Sequence, residues 1–294
     1  MSRVFVDGDS VKKPANSRKS SPSLSVGRIL VYAFLIVVAL ISLLPFYSMI
    51  MSSTHANYAI ATQLNLLPGN QFIANYKRLM GTVNIWRGFA NDLLVAVSAT
   101  VLTLYASALT AYGFSKFRFR GSKFLFGFVL ASMMVPGQLG IIGFFREMHT
   151  LHLLNTYWPL IIPGIASAFN TFFIKQNCDS AVPDELIEAA RMDGASEWYI
   201  FHRIALPLLR PPMSALGIFS FIGNWNSYMM PLIILFDNNL QTLPVMVAMT
   251  QSASSTDYGA QYVGVVISVV PIIIVFSILS RRIIGGLSVG ALKG

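Results

Sequence analysis

The chain contains little charge and almost no cysteine. Of its 294 residues only 11% are charged and one is cysteine, whereas 54% are hydrophobic and the mean hydropathy is +0.62. Soluble globular domains carry about 25% charged residues, so these values lie outside their range. The lone Cys178 can form no disulfide within the chain. The composition therefore predicts a polytopic membrane protein without an internal disulfide.

Six long stretches lack Asp, Glu, Lys and Arg altogether. Each can cross a hydrocarbon core of ~30 Å, which requires about 20 helical residues. A membrane barrel is not expected, because the runs show no sustained alternation and every backbone amide in lipid must be paired. The predicted fold is therefore all-α, with six transmembrane helices at residues 29–51, 93–115, 124–145, 153–174, 211–236 and 258–280.

Basic residues are distributed unevenly between the loops that connect these stretches. The loops on one side, together with both termini, hold 17 of the 21 Lys and Arg residues; the other side holds only Lys77, Arg78, Arg87 and Arg146. By the positive-inside rule both termini are expected in the cytoplasm. The net charge of +9 then reflects membrane topology and does not indicate nucleic-acid binding.

Residues 1–27 have few large apolar groups and are rich in Ser, Lys and Arg. Such a segment is expected to be a disordered basic tail that lies along the membrane lipid. The first apolar stretch is longer than an ordinary signal core and follows 28 polar and basic residues, so it is predicted to remain as an anchor. The expected organisation is a cytoplasmic tail over 1–27 and one transmembrane domain over 28–294.

The inner loop over residues 175–210 is too apolar for a solvated connector and too short for a domain. Pro183 and the acids after it suit the first turn of a helix, because proline has no amide to leave unpaired and acids complement the helix dipole. Gly194 suits a left-handed helix end, and Ser196 can cap a second helix that Leu206-Pro207 terminates. The pattern predicts a helix-turn-helix knob that projects into the cytoplasm.

The second helix of this knob carries apolar side chains, among them Trp198 and Tyr199. Exposed apolar groups on a membrane protein have two explanations, since they either pack on the lipid interface or enter a groove on another protein. Composition alone gives the two explanations equal weight.

A specific spacing marks the same loop. Glu188-Ala189-Ala190 is followed by three residues, Gly194, nine residues, Ile204, one residue and Leu206-Pro207. This pattern resembles the cytoplasmic loop of the inner-membrane permeases of ATP-binding-cassette importers. Further motifs are similar to those of the smaller permease of the maltose-type, carbohydrate-uptake branch: Ala111-Tyr112, Pro136, Trp225-Asn226, Pro231 and the tail over 290–294. The resemblance covers residues 91–294.

Asp92 departs from this resemblance. Similar permeases tend to have a small polar residue in the Asn-x-Leu start of the second span. An acid is costly inside a membrane, so Asp92 is expected to lie at the outer interface with water. The resemblance assigns it no role.

The resemblance implies a division of labour among several proteins. An extracytoplasmic solute-binding protein delivers the solute, this chain and a second permease form the path, and two ATPase subunits bind ATP and Mg²⁺. This chain would itself hold no cofactor and would not be an enzyme. Its sequence contains no Gly-Lys dipeptide, so it cannot contain the Gly-x-x-x-x-Gly-Lys loop that binds nucleotide phosphates.

Two other functions compete with this interpretation. A secondary carrier or channel acting alone is the alternative, although the six spans lack the ionisable residues that proton- or sodium-driven carriers usually hold. A membrane enzyme ranks third, because no nucleophile-elbow or metalloprotease motif occurs. His149 and His152 share a helical face but have no third ligand nearby, so no metal site is predicted.

Coupling to the ATPase is the role that the resemblance implies for eight residues. In that interpretation the knob sits in a groove of the ATPase, Glu188 anchors it by charge-assisted bonds, and the two alanines after it allow close approach. The alternative for Glu188 is a surface pair with Arg191 on the same helix. The predicted coupling residues are Glu188, Ala189, Ala190, Asp193, Gly194, Ile204, Leu206 and Pro207.

The fifth span carries a polar stripe that is a candidate for the solute path. Gly217, Ser220, Asn224 and Tyr228 are three or four residues apart and would share one face of a helix. Asn226 would lie about 200° from Asn224, so one of the two asparagines is expected to bridge helices instead. Trp225 is chemically suited to a sugar face but equally suited to helix packing.

The outer segment over 251–257 is small and polar. It resembles the loop that reaches into the binding protein's sugar cleft in maltose-type systems, and the alternative is a plain solvated connector. The predicted contact residues are Gln251, Ser252, Ser254, Ser255, Thr256 and Asp257. The expected location is the prokaryotic inner membrane, and the solute is left open among oligosaccharides, polyols and a glycerol phosphate.

Overall fold

The computed structural model describes residues 26–251 and 256–290, in which the backbone is mostly helical and contains no β-strand. The predicted all-α class is confirmed for this part of the chain. The α-helices, numbered α1 to α15 in chain order, are Val26–Ser52, Asn57–Thr62, Phe72–Thr82, Ile85–Lys116, Ser122–Ser132, Ile141–Thr150, Trp158–Ile161, Ala168–Ala181, Asp184–Met192, Glu197–Ile200, Leu206–Leu208, Arg210–Trp225, Met229–Ile234, Leu243–Ala248 and Tyr258–Gly290.

The chain divides into two units, Met1–Tyr47 and Ser48–Gly294. The described part of the first unit is the beginning of α1, whose apolar side chains are exposed on all sides from Val26 to Phe46. A helix that is apolar all round requires an apolar environment, so α1 has the character of a lipid-facing span. The predicted tail over 1–27 lies outside the described residues except for its last two positions.

Helix α4 lies at the centre of the second unit and contacts α8, α12 and α14. Its buried face is built largely from small residues at helical spacing, and these include Ala96, Ala99, Thr103 and Ala111. Small side chains let neighbouring helices approach closely, which is how helices pack in membranes. Helix α4 begins at Ile85, eight residues before the predicted start of the second span.

Three helices, α1, α4 and α15 up to Ser280, are long and apolar enough to cross a membrane singly. Two further pairs pass the same test but are broken. The segments Ser122–Ser132 and Gly137–Thr150 meet at 85°, and Glu197–Leu208 meets Arg210–Trp225 at 74°. The described helices therefore account for three crossings, or up to five if each bent pair is one. Pro136 lies between the first two segments, where it interrupts the helical hydrogen bonds.

The fourth and fifth predicted spans are not single helices. Residues 153–174 are divided among α7, the 3₁₀ segment Pro163–Ala166 and the start of α8, where Ser167 caps the helix. The fifth span ends at Trp225 and resumes as α13 after an irregular link. Prolines 159, 163 and 231 fall in these interrupted segments and each removes a backbone donor. The backbone of both segments is therefore interrupted where these prolines fall.

Candidate functional site

The inner loop folds into the predicted helix-turn-helix knob. Helix α9 ends at Met192, Gly194 has a left-handed φ of 80°, and the Ser196 hydroxyl accepts a hydrogen bond from the Tyr199 amide at the start of α10. Both the glycine turn and the serine cap are confirmed. Pro183 differs slightly from expectation, because it precedes α9 as the cap residue and does not lie within the first turn.

Leu206-Pro207 does not end the second helix of the knob. After α10 the chain continues through a π-helical turn, Phe201–Ala205, into α11, and the bend follows at Leu209. Pro207 lies at the start of α11, where a missing amide donor is tolerated. The returning span therefore begins beyond the motif, at Arg210.

The inner face of the knob packs against α4 and α8. Ile187, Ile200 and Phe201 are almost fully buried, and they form one apolar cluster with Tyr112 and Cys178. Of the predicted coupling residues, Ala190, Ile204 and Leu206 are partly buried against this cluster. These three residues therefore help to hold the knob against α4 and α8.

The outer face of the knob carries three more of the predicted coupling residues. Glu188, Ala189 and Asp193 are exposed. Met192 is 87% exposed and Trp198 is 62% exposed. The outer face of the knob therefore carries apolar groups beside the polar ones. The sequence did not indicate that Met192 lies on this exposed face, because a single methionine at a helix end carries no distinguishing pattern. Its position two residues before Gly194 is the only signal.

An ion pair closes the turn of the knob. Arg191 Nε lies 2.6 Å from Glu197 Oε1, and the Tyr112 hydroxyl donates to Glu197 Oε2 at 3.3 Å. The bond from Arg191 outweighs desolvation and lowers the pKa of Glu197 below its ordinary value. Arg191 therefore pairs with Glu197. The alternative interpretation, a surface pair between Glu188 and Arg191, is wrong.

One more ion pair ties the knob to the end of α4, and another lies within α8. Lys116, the last residue of α4, contacts Asp184 at 2.6 Å, and its side chain is only 4% exposed. Lys175 contacts Asp179 at 2.7 Å, and the Ser115 hydroxyl donates to the same carboxylate at 2.6 Å. The knob is thus joined to the end of α4 by polar as well as apolar contacts, and the Ser115 hydroxyl links α4 to α8.

The candidate solute-path residues are dispersed by the break in the fifth span. Ser220 accepts a hydrogen bond from the Asn170 amide at 3.1 Å, and Trp225 is fully buried with its indole bonded to the Ser268 carbonyl at 2.9 Å. Asn226 and Tyr228 lie beyond the helix end and are exposed. The expected continuous stripe from Gly217 to Tyr228 is therefore wrong, because no helix joins its ends.

Asn224 lines a cavity of about 380 Å³ in the second unit, and its amide donates to the Thr100 hydroxyl at 3.3 Å. Asp92 lines the same cavity and is only 1% exposed. The expectation that Asp92 lies at the interface with water is wrong, because α4 begins earlier than predicted and places this residue two turns inside the helix. The wall comprises Asp92, Val95, Gly137, Gly140, Phe144, Pro159, Leu160, Pro163, Gly164, Asn224, Ser227, Met230, Pro231 and Thr242.

The outer segment is anchored at its base. Arg78 Nε lies 2.7 Å from Asp257 Oδ2, and Gln251 and Thr256 form an isolated antiparallel bridge. Burial raises the pKa of Asp257, but the bonds from Arg78 and from the Ala260 amide outweigh it and the net shift is downward. The predicted contact residues Ser252, Ser254 and Ser255 lie outside the described residues. The described ends of the segment are therefore held by tertiary contacts.

Comparison with known proteins identifies the family to which this arrangement belongs. The family of binding-protein-dependent transport system inner membrane components matches residues 103–288, which include the whole knob. The chain belongs to this family. The resemblance to importer permeases is thereby confirmed, and the chain is a multi-pass membrane protein.

Relatives within the family match almost the whole chain. The arabinooligosaccharides transport system permease protein AraQ of Bacillus subtilis (strain 168) is 32% identical over 94% of this chain and 99% of its own length. The lactose transport system permease protein LacG of Rhizobium radiobacter is 33% identical over 89% of this chain and 95% of its own. The sn-glycerol-3-phosphate transport system permease protein UgpE of Salmonella typhi is 30% identical over 87% of this chain and 94% of its own length.

A solved structure shares the fold of this permease. It is described as a crystal structure of a bacterial ABC transporter involved in the import of the acidic polysaccharide alginate. The TM-score is 0.74 at 25% sequence identity, and the match covers 89% of this chain and 98% of the other. The observed helices therefore have the arrangement of an ABC transporter permease.

Proposed function

We propose that this chain is a membrane-spanning permease subunit of an ATP-driven importer that takes up a carbohydrate delivered by an extracytoplasmic binding protein. The knob carries this proposal, since it presents an exposed surface on a base buried against two transmembrane helices. Such a surface suits a partner at the cytoplasmic face better than lipid, because exposed Glu188 and Asp193 accompany its apolar groups. The carbohydrate class is favoured by the relatives that are named for arabinooligosaccharides and lactose.

The partners in this proposal are a second permease subunit and two ATPase subunits. ATP and Mg²⁺ would bind to the ATPase subunits, and this chain would have no ATPase site or cofactor of its own. Closure of the ATPase pair would push on Glu188, Ala189 and Asp193. The buried base of the knob would then pass this movement to α4 and α8 as rigid-body rocking.

The topology we propose has six crossings with both termini in the cytoplasm. The bent pair of Ser122–Ser132 and Gly137–Thr150 provides the third crossing, the interrupted segment from α7 to α8 the fourth, and α12 with α13 the fifth. Non-helical backbone at membrane depth is tolerated where it is buried in protein or faces a water-filled cavity. The breaks after Ser132 and Trp225 lie beside the residues that line the cavity, which agrees with that requirement.

The solute path in this proposal passes the cavity that Asn224 lines. Ser220 and Trp225 would support its wall from behind, because their polar atoms are bonded within the fold. Exposed Asn226 and Tyr228 would face the second permease or the solute. At the outer surface, the segment from Gln251 to Asp257 would contact the binding protein.

Reconstitution tests this function directly. The chain would be purified alone and with its co-expressed partners, and uptake of neutral oligosaccharides into proteoliposomes would be measured with and without ATP. We expect uptake only by the complete assembly, with ATP on the side of the ATPase subunits and binding protein on the other. Uptake by the single chain, driven by an ion gradient, would refute the proposal in favour of a secondary carrier.

A further inference from the structure

Two buried residues that line the same cavity each have, in the described part of the chain, a polar atom without a hydrogen-bond partner. The two atoms are the Oδ2 atom of Asp92 and the hydroxyl of Thr242. The two residues are 1% and 0% exposed. Most buried polar groups in folded proteins are paired, and an unpaired one destabilises the fold that contains it. The fold of this chain alone therefore does not account for their presence.

The described wall of the cavity offers no cation to pair with the carboxyl group. No Lys, Arg or His is among the described residues that line it, and Asp92 is its one charged residue. Asn224, Ser227 and Thr242 are the other polar residues of the lining, and the rest is small or apolar, with Gly137, Phe144 and Leu160 as examples. Among the described residues neither Asp92 Oδ2 nor the Thr242 hydroxyl has a hydrogen-bond partner, so both are available to a ligand in the cavity.

The donors and acceptors of the cavity suit hydroxyl groups. A carboxyl oxygen accepts hydrogen bonds, whereas a threonine hydroxyl and an asparagine amide both donate and accept. The cavity has one carboxyl group from Asp92, one threonine hydroxyl from Thr242 and one asparagine amide from Asn224. The apolar wall suits the carbon skeleton of the same ligand, and a cavity of about 380 Å³ is near the lower end of ligand pockets, which span about 300–1,000 Å³. An anionic ligand fits poorly, because the wall has a carboxyl group and no cation.

We propose that Asp92 and Thr242 form a solute subsite that binds the hydroxyls of one sugar or polyol unit of a neutral solute. This subsite rests on the proposed function, because a cavity wall acts on a solute only if solute passes it. Buried polar groups confer strong specificity, since a solute without matching hydroxyls leaves them unpaired. The subsite would therefore select neutral polyhydroxylated solutes over anionic ones such as glycerol 3-phosphate.

A thiol-protection experiment on the complete transporter tests the subsite. Ser227 lines the same cavity, so Ser227→Cys in a Cys178→Ala background places a single reactive group there. The rate of modification by a small neutral thiol reagent would be measured against rising concentrations of lactose, sorbitol and glycerol 3-phosphate. We expect lactose or sorbitol to slow the modification, and glycerol 3-phosphate to have at most a tenth of their effect at equal concentration.

Apolar replacements distinguish a binding role from a structural one. Thr242→Val is expected to raise the half-protecting concentration at least fivefold, and Asp92→Leu at least tenfold. Both should leave the melting temperature of the transporter unchanged or higher, because each removes an unpaired buried polar group. Ser107→Ala is the matched control, since it removes another buried unpaired hydroxyl that does not line this cavity. It should leave protection unchanged.

Three results would overturn the subsite. They are an absence of protection by lactose and sorbitol, stronger protection by glycerol 3-phosphate, and protection within twofold of the parent in both variants. If Asp92→Leu fails to assemble, Thr242→Val decides alone. Protection requires no transport, so a failure of the subsite is distinct from a failure of the proposed function, which would appear as absent carbohydrate uptake by the parent assembly.

Discussion

Arg191 and Glu197 face each other across the Gly194 turn, with Nε and Oε1 separated by 2.6 Å. The pair joins the end of α9 to the start of α10, and Tyr112 of α4 donates to the same carboxylate. One carboxylate therefore links both helices of the knob to a transmembrane helix. Because the ion-pair side chains are 37% and 43% exposed, the pair contributes only about 0.2–1 kcal/mol to stability and serves mainly to orient the knob.

The first prediction concerns the acid sensitivity of this pair. The pKa of Glu197 is lowered in the folded protein, so the pair stabilises the fold above the ordinary glutamate pKa of 4.5 and is lost as pH falls through the folded value. Glu197→Gln should therefore reduce the loss of melting temperature between pH 6 and pH 3, in a titration of the purified transporter. Glu185→Gln, at an exposed site in the first turn of α9, is the control and should follow the parent.

The second prediction concerns the left-handed turn. Gly194 has a φ of 80°, and an alanine there is expected to destabilise the knob by about 1–2 kcal/mol. Binding-protein-stimulated ATP hydrolysis and uptake should both fall in Gly194→Ala, because the knob would be displaced on its partner. Gly113→Ala is the control: it adds a methyl group to open space within α4 and should stabilise by about 0.5–1 kcal/mol. Equal uptake in the two variants would argue against a required turn.

The third prediction concerns the outward face of the knob. Glu188 is exposed and its reversal should not disturb the buried base. Glu188→Lys is expected to reduce ATP-driven uptake at least tenfold while membrane insertion and the amount of purified chain stay unchanged. Glu185→Lys makes the same charge change one turn earlier on α9, also at an exposed position. Normal uptake in Glu188→Lys would contradict the lever mechanism.

The fourth prediction concerns the outer segment. Arg78 Nε lies 2.7 Å from Asp257 and also donates through Nη2 to the Asn75 side chain. Arg78→Gln should release the base of the segment and raise several-fold the concentration of binding protein that gives half-maximal uptake. The adjacent Lys77→Gln changes the same charge at an exposed site and is the control. If Arg78→Gln leaves the half-maximal concentration of binding protein unchanged, the outer segment does not contact the binding protein as proposed.

The local structure of the knob was predictable because short-range chemistry determines it. A glycine with positive φ and a serine that caps the next helix depend on residues within a few positions, and both occur where the sequence indicated. The predicted helices of the spans were less accurate. Helix α4 starts earlier than the predicted second span, and the fourth and fifth spans are broken. Such breaks are tolerated where neighbouring helices re-satisfy the freed backbone groups, and those contacts depend on residues distant in sequence.

The amino-acid sequence by itself determined that this is an all-α membrane protein with a permease knob, since hydropathy, charge distribution and motif spacing are properties of the chain. Only the tertiary structure decided which motif residues face outward and which are buried, and that Arg191 pairs with Glu197. It also brought Asp92 of α4 and Thr242, which precedes α14, to one cavity. Contacts between residues so distant in sequence depend on how helices pack, and no local pattern encodes them.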